Sequence, residues 1–335
     1  MRVLITGGLG YIGSHTCLAL HQAGHQITVV DDLSNSSYAR LYALQELGVA
    51  VDLHVMGVEN ISEHPGVLQR VDAVIHMAGK KSVRESVERP LDYYRANVGG
   101  TLKLLEEMQL KLSHGGPKYI VFSSSASVYG NMDYQCLGTE DTETRPTSPY
   151  ARTKLIAEQM IADSPLFKSV SLRYFNPIGA HESGVLREQD CQQSENLMPR
   201  ILEVAQSKRA ELKVFASKER TPDGTCIRDY LHVMDVAEAH TKALEFLVSA
   251  SNYQSHHVFN ISTQRGTSTL ELIDAFCSVT GVPVPYKICA PRPGDPARIV
   301  ADASAARRML GWSPTRSIAE ACRDAWHSIL VQVNP

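Results

Sequence analysis

The sequence predicts an α/β fold built on a doubly wound parallel sheet. Short β-branched runs alternate with longer helical patterns along the first half of the chain, as in successive βαβ units. Most of these runs are hydrophobic at every position, as expected when helices cover both faces of a parallel sheet. A glycine-rich loop directly follows the first run, at a place where such folds bind ligands.

The predicted elements follow one another regularly from the N-terminus. The strands comprise residues 2–6 and 26–30 and the runs that begin at Val51, Ala73, Tyr119 and Ser169. An amphipathic helix separates the first two strands, and we expect it to begin near Ser14 and to reach Ala23.

Beyond about Asn176 this alternation ends. The stretch through Cys191 and Glu195 is polar, and prolines at positions 291, 293 and 296 interrupt a later loop. This composition predicts a smaller mixed α/β domain at the carboxyl edge of the sheet, with helices over residues 197–207, 233–247, 269–279 and 318–331. We assign residues 1–176 to the first domain and 177–335 to the second, with segments near 229–262 returning to the first.

The composition excludes several classes of function. The 33 Lys and Arg residues against 36 Asp and Glu residues give a net charge of −3, which removes the counterion release that drives nucleic-acid binding. No stretch approaches the roughly eighteen apolar residues of a membrane span. Gly7, Gly8 and Gly10 interrupt the apolar N-terminal run, so no signal peptide is predicted. We expect a cytoplasmic protein that binds neither nucleic acid nor membrane.

The cysteines and histidines predict neither disulfides nor a metal site. The seven cysteines are widely spaced, and none belongs to a Cys-x-x-Cys pair, which is typical of reduced thiols in the cytosol. Histidine pairs at positions 21 and 25 and at 256 and 257 lack the cysteines or carboxylates that complete a zinc site.

A glycine-rich loop joins the first strand to the first helix. Gly7, Gly10 and Gly13 follow the pattern Gly-x-x-Gly-x-x-Gly. Glycine allows a sharp backbone turn and lets a pyrophosphate approach the N–H groups at the helix N-terminus. The loop alone is also compatible with a tight strand-to-helix turn that binds nothing.

Two acidic residues at the end of the second strand indicate which dinucleotide binds. Asp31 and Asp32 follow the strand directly, and Asp31 lies 18 residues after Gly13. A carboxylate there accepts hydrogen bonds from the ribose hydroxyls of adenosine and repels a 2′-phosphate. The sequence therefore predicts a Rossmann domain that binds NAD rather than NADP; a solvated loop pair is the plainer alternative.

A tyrosine and a lysine one helical turn apart form the predicted catalytic pair. Tyr150 and Lys154 have i, i+4 spacing on a helix that Pro149 is suited to begin. A tyrosine phenol with a pKa of about 10 needs adjacent positive charge to act as a base near neutral pH. Ser125, at the carboxyl end of a predicted strand, carries a hydroxyl that both donates and accepts. Taken alone, the tyrosine–lysine pair is also a common exposed helical motif.

These motifs together resemble the extended short-chain dehydrogenase/reductase family, and within it the enzymes that epimerise UDP-sugars. The resemblance covers essentially the whole chain and rests on the segments TGGLGYIGSH, HMAGKKSVRES, SSSASVYG, SPYARTK, RYFNPIGAH, ENLMPRI, DGTCIRDYLHVMD and ADAS. It implies reversible 4-epimerisation of UDP-galactose and UDP-glucose through a 4-keto intermediate, with tightly bound NAD that is recycled in place. Related 4,6-dehydratases carry Thr-Asp-Glu where this chain has Ser125, Ala126 and Ser127, which argues against dehydration.

The resemblance also implies roles for individual residues. Tyr150 exchanges the proton of the sugar 4-hydroxyl, Ser125 assists or relays that transfer, and Lys154 tunes Tyr150 and holds the nicotinamide ribose. The positions implied to contact NAD are Gly7, Gly10, Tyr11, Ile12, Gly13, Asp31, Asp32, Leu33, Ser34, Asn35, Ser36, Val58, Glu59, Met77, Ala78, Gly79, Lys81, Asn97, Ser125, Tyr150, Lys154 and Phe175. Those implied to contact the UDP-sugar are Lys81, Ser125, Tyr150, Asn176, Asn196, Leu197, Lys213, Val214, Phe215, Arg228, Arg292, Asp295 and Ile299.

Three positions depart from the family pattern. Family members carry Asp-Asn where this chain has Asp31 and Asp32, and Asp-Ile where it has Val58 and Glu59. Val58 cannot make the carboxylate contact to adenine, so we expect weaker retention of NAD on that side unless another group compensates. Ile299 occupies the position where a tyrosine restricts the sugar pocket and a smaller residue admits N-acetylated sugars, which leaves activity on UDP-N-acetylhexosamines open.

Other functions are also compatible with the sequence. An epimerase for UDP-hexuronates would need a positive group for the sugar carboxylate. A catalytically silent NAD-binding module would need none of the three residues Ser125, Tyr150 and Lys154. A purely structural protein is the remaining alternative. The resemblance further implies a homodimer whose four-helix interface would use residues 92–112 and 149–162 of each chain.

Overall fold

The computed structural model confirms the predicted α/β class. It describes residues 1–130, 137–188, 196–249, 255–292 and 295–331. Cys191, Glu195 and Pro293, which were named above, lie outside these ranges.

The strands and helices alternate through most of the described chain. The strands are β1 (Arg2–Thr6), β2 (Gln26–Asp31), β3 (Val51–Val55), β4 (Ala73–His76), β5 (Tyr119–Ser123), β6 (Lys168–Tyr174), β7 (Asn176–Ile178), β8 (Leu212–Phe215), β9 (Ile227–Arg228), β10 (Tyr230–His232), β11 (His256–Ile261), β12 (Thr267–Ser268), β13 (Tyr286–Cys289) and β14 (Arg298–Ile299). The α-helices are α1 (Tyr11–Gln22), α2 (Tyr38–Glu46), α3 (Val83–Glu88), α4 (Pro90–Tyr93), α5 (Gly100–Leu112), α6 (Pro149–Ala162), α7 (Leu197–Ala205), α8 (Val233–Ser249), α9 (Thr269–Thr280) and α10 (Ile318–Leu330). A π-helical segment, Tyr94–Gly99, joins α4 to α5.

Seven strands form the central sheet in the order β11-β6-β5-β4-β1-β2-β3. Every neighbouring pair is parallel. The order reverses beside β1, so the crevice at the carboxyl ends of β1 and β4 is the topological switch point where such sheets bind ligands. The doubly wound sheet predicted from the alternation is therefore present.

Helices cover both faces of the sheet, which explains the continuous hydrophobic runs. Val3 and Ile5 pack on the side of α1, α2 and α8, whereas Leu4 and Val74 pack on the side of α5 and α6. All four side chains are fully buried. The edge strand β3 is the exception, because one side of it has no neighbouring strand and its residues are partly exposed.

The chain returns to the central sheet after entering the C-terminal region. Strand β11 pairs with β6, and α8 packs against α1. The sequence analysis identified the helix but no strand over 256–261, because two histidines begin that run. Helix α1 also begins at Tyr11 rather than near Ser14, since Gly10 has extended backbone angles and serves as the N-cap.

The remaining elements form the smaller mixed unit that was predicted. Its sheets pair β7 with β10, β8 with β13, and β9 with β12 and β14. A separate core that includes Ile201, Leu272 and Phe276 lies among α7, α9 and α10. In the described part of the chain, no helix has the length and apolar character needed to cross a membrane.

Candidate active site

A cleft of about 1280 Å³ extends along the carboxyl ends of the parallel strands and onto the C-terminal elements. All predicted site residues except Leu33 and Asn97 line it. Leu33 has a left-handed backbone (φ 58°) and packs towards the core, while its N–H donates to the Asp31 carboxylate at 3.0 Å. Asn97 is buried behind the cleft wall.

The glycine loop forms a cradle with no room for side chains. Gly7 has a φ of +69°, and its N–H donates to the Val30 carbonyl at 2.7 Å. A Cβ on Gly13 would lie 2.1 Å from the Gly7 oxygen, far inside van der Waals contact. Gly10 and the first turn of α1 line the cleft, so the helix N-terminus is available to a pyrophosphate. The loop therefore fits the dinucleotide that its spacing predicts.

Asp31 anchors the glycine loop to the loop after β2. Its carboxylate accepts hydrogen bonds from the Leu9 N–H at 2.9 Å and from the Ser36 hydroxyl at 2.7 Å. The residue is largely buried but still lines the cleft. Asp32 is exposed and accepts from the Ser34 N–H and hydroxyl. The acidic pair is thus part of an ordered turn rather than a freely solvated loop.

The catalytic candidates lie where β5 and α6 meet. The Ser148 hydroxyl caps α6 by accepting from the Ala151 N–H at 3.2 Å, and Pro149 occupies the first turn. Lys154 is buried, donates to the Ser123 carbonyl at 2.8 Å and lies 4.9 Å from the Phe122 ring centroid. The lysine is thereby fixed beneath the cleft, one turn after Tyr150.

Burial controls the protonation of this pair. Desolvation raises the pKa of the Tyr150 phenol, and a hydrogen bond with Ser125 opposes that increase. Desolvation lowers the pKa of Lys154 to about 8, and the Glu158 carboxylate opposes that decrease. The phenol is therefore protonated at neutral pH in this structure, and lowering its pKa requires further positive charge in the cleft.

A buried histidine that sequence reasoning missed connects β1 and β4 to α5. The Thr101 hydroxyl donates to the Asn97 carbonyl at 2.6 Å, so it accepts from His76 Nε2, 2.9 Å away. His76 Nδ1 then accepts from the Thr6 hydroxyl at 2.7 Å. Burial lowers the pKa of His76 to about 3, so the ring stays neutral and the direction of these hydrogen bonds is fixed.

Asn97 continues this connection to the catalytic helix. Its side chain accepts from the Lys80 N–H at 2.8 Å and donates to the Lys80 carbonyl and the Thr153 hydroxyl. Thr153 in turn donates to the Tyr150 carbonyl at 2.7 Å. Asn97, which the resemblance placed against NAD, here holds the loop after β4 to α6. No periodicity in the sequence signals this role.

The far end of the cleft contains an aromatic ring and two arginines. Arg228 pairs with the Asp295 carboxylate, and the Arg292 guanidinium lies 3.8 Å from the Phe215 ring centroid. Strand β14 pairs with β9 so that Ile299 is opposite Arg228. This end offers a flat apolar surface and forked cations, which suit a base and a phosphate.

Between the two ends, polar residues of the C-terminal unit face the cleft. Asn196 precedes α7, and its Nδ2 donates to Glu188 at 3.0 Å. Burial raises the pKa of Glu188, and Lys81 opposes that change. Glu188 was not predicted, because a single carboxylate in a polar loop gives no sequence signal. Asn176, at the start of β7, and Leu197, at the start of α7, also line the cleft.

The cleft is cationic although the chain as a whole is acidic. Twelve of its described lining residues are Lys or Arg and six are Asp or Glu. Such an excess attracts ligands that carry several phosphate charges. Among the described residues, no group of three or more His, Cys, Asp or Glu is arranged to hold a metal ion.

A comparison with models of protein families shows to which family the chain belongs. A model of the NAD-dependent epimerase/dehydratase family matches residues 3–262. The chain belongs to this family. The resemblance drawn from the motifs is therefore confirmed, and so is the expected dependence on NAD.

Individual members of the NAD-dependent epimerase/dehydratase family resemble the chain along nearly its whole length. The UDP-glucose 4-epimerase of Bacillus subtilis (strain 168) is 42% identical over 333 residues, which cover 97% of this chain and 96% of the relative. The crystal structure of UDP-glucose 4-epimerase from Stenotrophomonas maltophila, with bound NAD and formylated UDP-arabinopyranose, is 42% identical, with a TM-score of 0.93 and coverage of 98% and 97%. The enzyme from Bifidobacterium longum, in complex with NAD+ and UDP, is 38% identical, with a TM-score of 0.91 and 98% coverage of both chains.

Proposed function

We propose that this protein interconverts UDP-galactose and UDP-glucose by epimerisation at C4. The observation that carries the proposal is that Ser125, Tyr150 and Lys154 line the same cleft as the glycine cradle, Phe215 and the two arginines. A proton-transfer group, a surface for a dinucleotide and a surface for a second nucleotide in one cleft are what this reaction requires. Relatives named for this activity cover almost all of the chain.

The chain's own residues supply binding, orientation and proton transfer. Tyr150 removes the proton of the sugar 4-hydroxyl and later returns it, while Ser125 shares a hydrogen bond with the phenol. Lys154 supplies the positive charge that favours the phenolate. NAD, when bound in the glycine cradle, supplies reversible oxidation at C4 and a second positive charge near Tyr150. Arg228 and Arg292 are placed to hold the UDP diphosphate while the hexose turns over.

The residues next to Ser125 disfavour elimination of water. Ala126 and Ser127 line the cleft, and neither side chain is a carboxylic acid that could protonate a leaving hydroxyl. The 4-keto sugar therefore has no acid at this position to drive loss of its 6-hydroxyl. Reduction back to either epimer at C4 is the outcome that these residues permit.

Product analysis from both directions tests this function. UDP-galactose and UDP-glucose, incubated separately with the protein, should converge on the same mixture, with no accumulated keto sugar. UDP-glucuronate is the competing substrate to be tested in parallel, because the hexuronate alternative requires a positive group at the sugar carboxylate. Conversion of UDP-glucuronate without conversion of UDP-galactose would replace this proposal by the hexuronate alternative.

We also propose UDP-N-acetylhexosamines as secondary substrates. Ile299 lines the cleft, and the resemblance implies that a larger tyrosine at this position narrows the sugar pocket. We expect Ile299→Tyr to lower kcat/KM for UDP-N-acetylglucosamine about tenfold or more, the scale of an overpacked contact, and to leave that for UDP-galactose within about twofold. Val282→Tyr, outside the cleft lining, is the control. Equal losses on both substrates would contradict the assigned role.

A cytoplasmic homodimer completes the proposal. Leu91, Leu102 and Leu110 are exposed large apolar side chains on α4 and α5, and such side chains are typical of a contact surface. The five described cysteines are free thiols, as a reducing compartment requires. Light scattering should give about twice the chain mass of 36.9 kDa. Leu102→Asp should give the monomer mass, whereas Leu166→Asp, exposed elsewhere, should not.

A further inference from the structure

A buried ion pair joins the catalytic helix α6 to strand β6. Glu158 and Arg173 are 4% and 6% exposed. Arg173 donates to the carboxylate through Nε at 3.0 Å and Nη2 at 2.7 Å, and the Ser124 hydroxyl donates to the same carboxylate. The buried carboxylate thus accepts hydrogen bonds from three donor groups, two of them on one guanidinium. Removing one partner of such a pair leaves an uncompensated buried charge.

Glu158 lies on the same face of α6 as the catalytic residues. Tyr150, Lys154 and Glu158 follow one another at intervals of four along α6, so their side chains share one face. Ser124, which donates to Glu158, is adjacent to Ser125. The carboxylate is therefore placed one turn below Lys154 and at the base of the strand end that carries Ser125.

Arg173 is itself fixed from the other side. Its Nη1 donates to the Tyr129 hydroxyl at 3.1 Å, and its guanidinium lies 4.9 Å from the Tyr129 ring centroid. Tyr129 donates to Asn260 on β11 at 2.6 Å. Tyr129 ends the short 3-10 helix Ala126–Tyr129. This helix and strands β6 and β11 thus fix the guanidinium and, through it, the Glu158 carboxylate.

We propose that Glu158, held by Arg173, is a positioning residue that keeps Lys154 cationic and aligned with Tyr150. The other polar groups that face Lys154 do not supply negative charge. His76 on β4 is neutral, because burial lowers its pKa to about 3. His240 on α8 contacts the Ser123 hydroxyl and is also neutral, because burial lowers its pKa to about 4. The Ser123 carbonyl and the Phe122 ring are uncharged. Tyr150 and Tyr174 have pKa values raised by burial and stay protonated.

Substitutions of the two members of the pair should shift the pKa of Lys154 in opposite directions. Glu158→Gln removes the negative charge and leaves Arg173 unpaired, so Lys154 should lose its proton about one pH unit lower. Arg173→Gln leaves the carboxylate without its guanidinium partner, so the midpoint of the Lys154 titration should move to higher pH. A residue that served only packing would give no titration shift, or shifts of the same sign.

The experiment follows the Lys154 titration in the NAD-loaded protein by NMR of 13Cε-labelled lysine, with Lys154→Arg to assign the signal. The alkaline limb of kcat should follow the same midpoints, while KM changes less than about twofold. Glu158→Asp should restore part of the shift. Glu245→Gln, from an exposed pair with Lys242, is the control and should titrate like the native chain.

If a single variant does not fold, the double variant with Glu158→Gln and Arg173→Gln is measured instead. It contains no buried unpaired charge from this pair. Its midpoint should lie below that of Arg173→Gln, and equal midpoints would overturn the proposal. Unchanged midpoints in both single variants would also overturn it. The inference rests on the proposed function only for the kcat profile. If the Lys154 titration shifts as expected but the protein has no turnover, the positioning role of Glu158 stands and the proposed epimerase activity is rejected.

Discussion

Replacing Tyr150 by phenylalanine should lower kcat for UDP-galactose by about 10²- to 10⁴-fold, the usual contribution of a positioned acid–base group. The hydroxyl is the only group removed, and the α6 cap made by Ser148 is untouched. NAD content should stay close to that of the native protein, because the glycine cradle and Asp31 are unchanged. Activity is measured by conversion to UDP-glucose, and NAD by its release on denaturation.

Tyr42→Phe is the matched control, since that tyrosine is 51% exposed and lies outside the cleft. It should retain full activity. Turnover of Tyr150→Phe within tenfold of the native rate would remove the tyrosine from its assigned role. Loss of NAD together with activity would instead mean that the phenol is needed for cofactor retention.

Gly13→Ala should weaken the retention of NAD. The added Cβ would lie 2.1 Å from the Gly7 oxygen and 2.9 Å from the Gly8 Cα. Both neighbours are backbone atoms, so the loop itself has to move, at a cost of about 1–3 kcal/mol for a forced fit. Affinity for NAD should fall about 5- to 150-fold, which is the same free energy expressed as a ratio of binding constants.

Gly66→Ala is the control for this substitution, because nothing lies within 4 Å of its added Cβ. NAD content after purification and the melting temperature of each variant separate a local effect from unfolding. A Gly13→Ala protein that keeps a full complement of NAD and native activity would show that the loop tolerates displacement and does not act as a tight cradle.

Local patterns in the sequence were sufficient to predict much of the fold. The continuous runs around Val3 and Val74 identified strands covered on both faces. Helix α6 begins at Pro149 and ends at Ala162, as predicted, because Ser148 and Pro149 form a capping signal that is complete within a few residues. The glycine spacing predicted the turn between β1 and α1, although Gly10 starts that helix earlier than expected.

The parts that could not be predicted depend on contacts between distant positions. Tyr129 and Asn260 are 131 residues apart, and Thr6 and His76 are 70 apart. Tyrosine, asparagine, threonine and histidine in these places have no periodic pattern, because their role is to satisfy buried polar groups. For the same reason the sequence does not distinguish Glu158 from an ordinary helical glutamate, because its partner Arg173 lies on another element.

The most direct test of the account is to incubate the purified protein with UDP-galactose without added NAD, and to follow both UDP-glucose formation and the absorbance of reduced nicotinamide. The account predicts conversion to a UDP-galactose/UDP-glucose mixture with no lasting rise in that absorbance. If conversion occurs only after NAD is added, the proposed reaction stands, and the departure at Val58 and Glu59 explains the weaker binding of NAD. No conversion of UDP-galactose under either condition would contradict the proposed function.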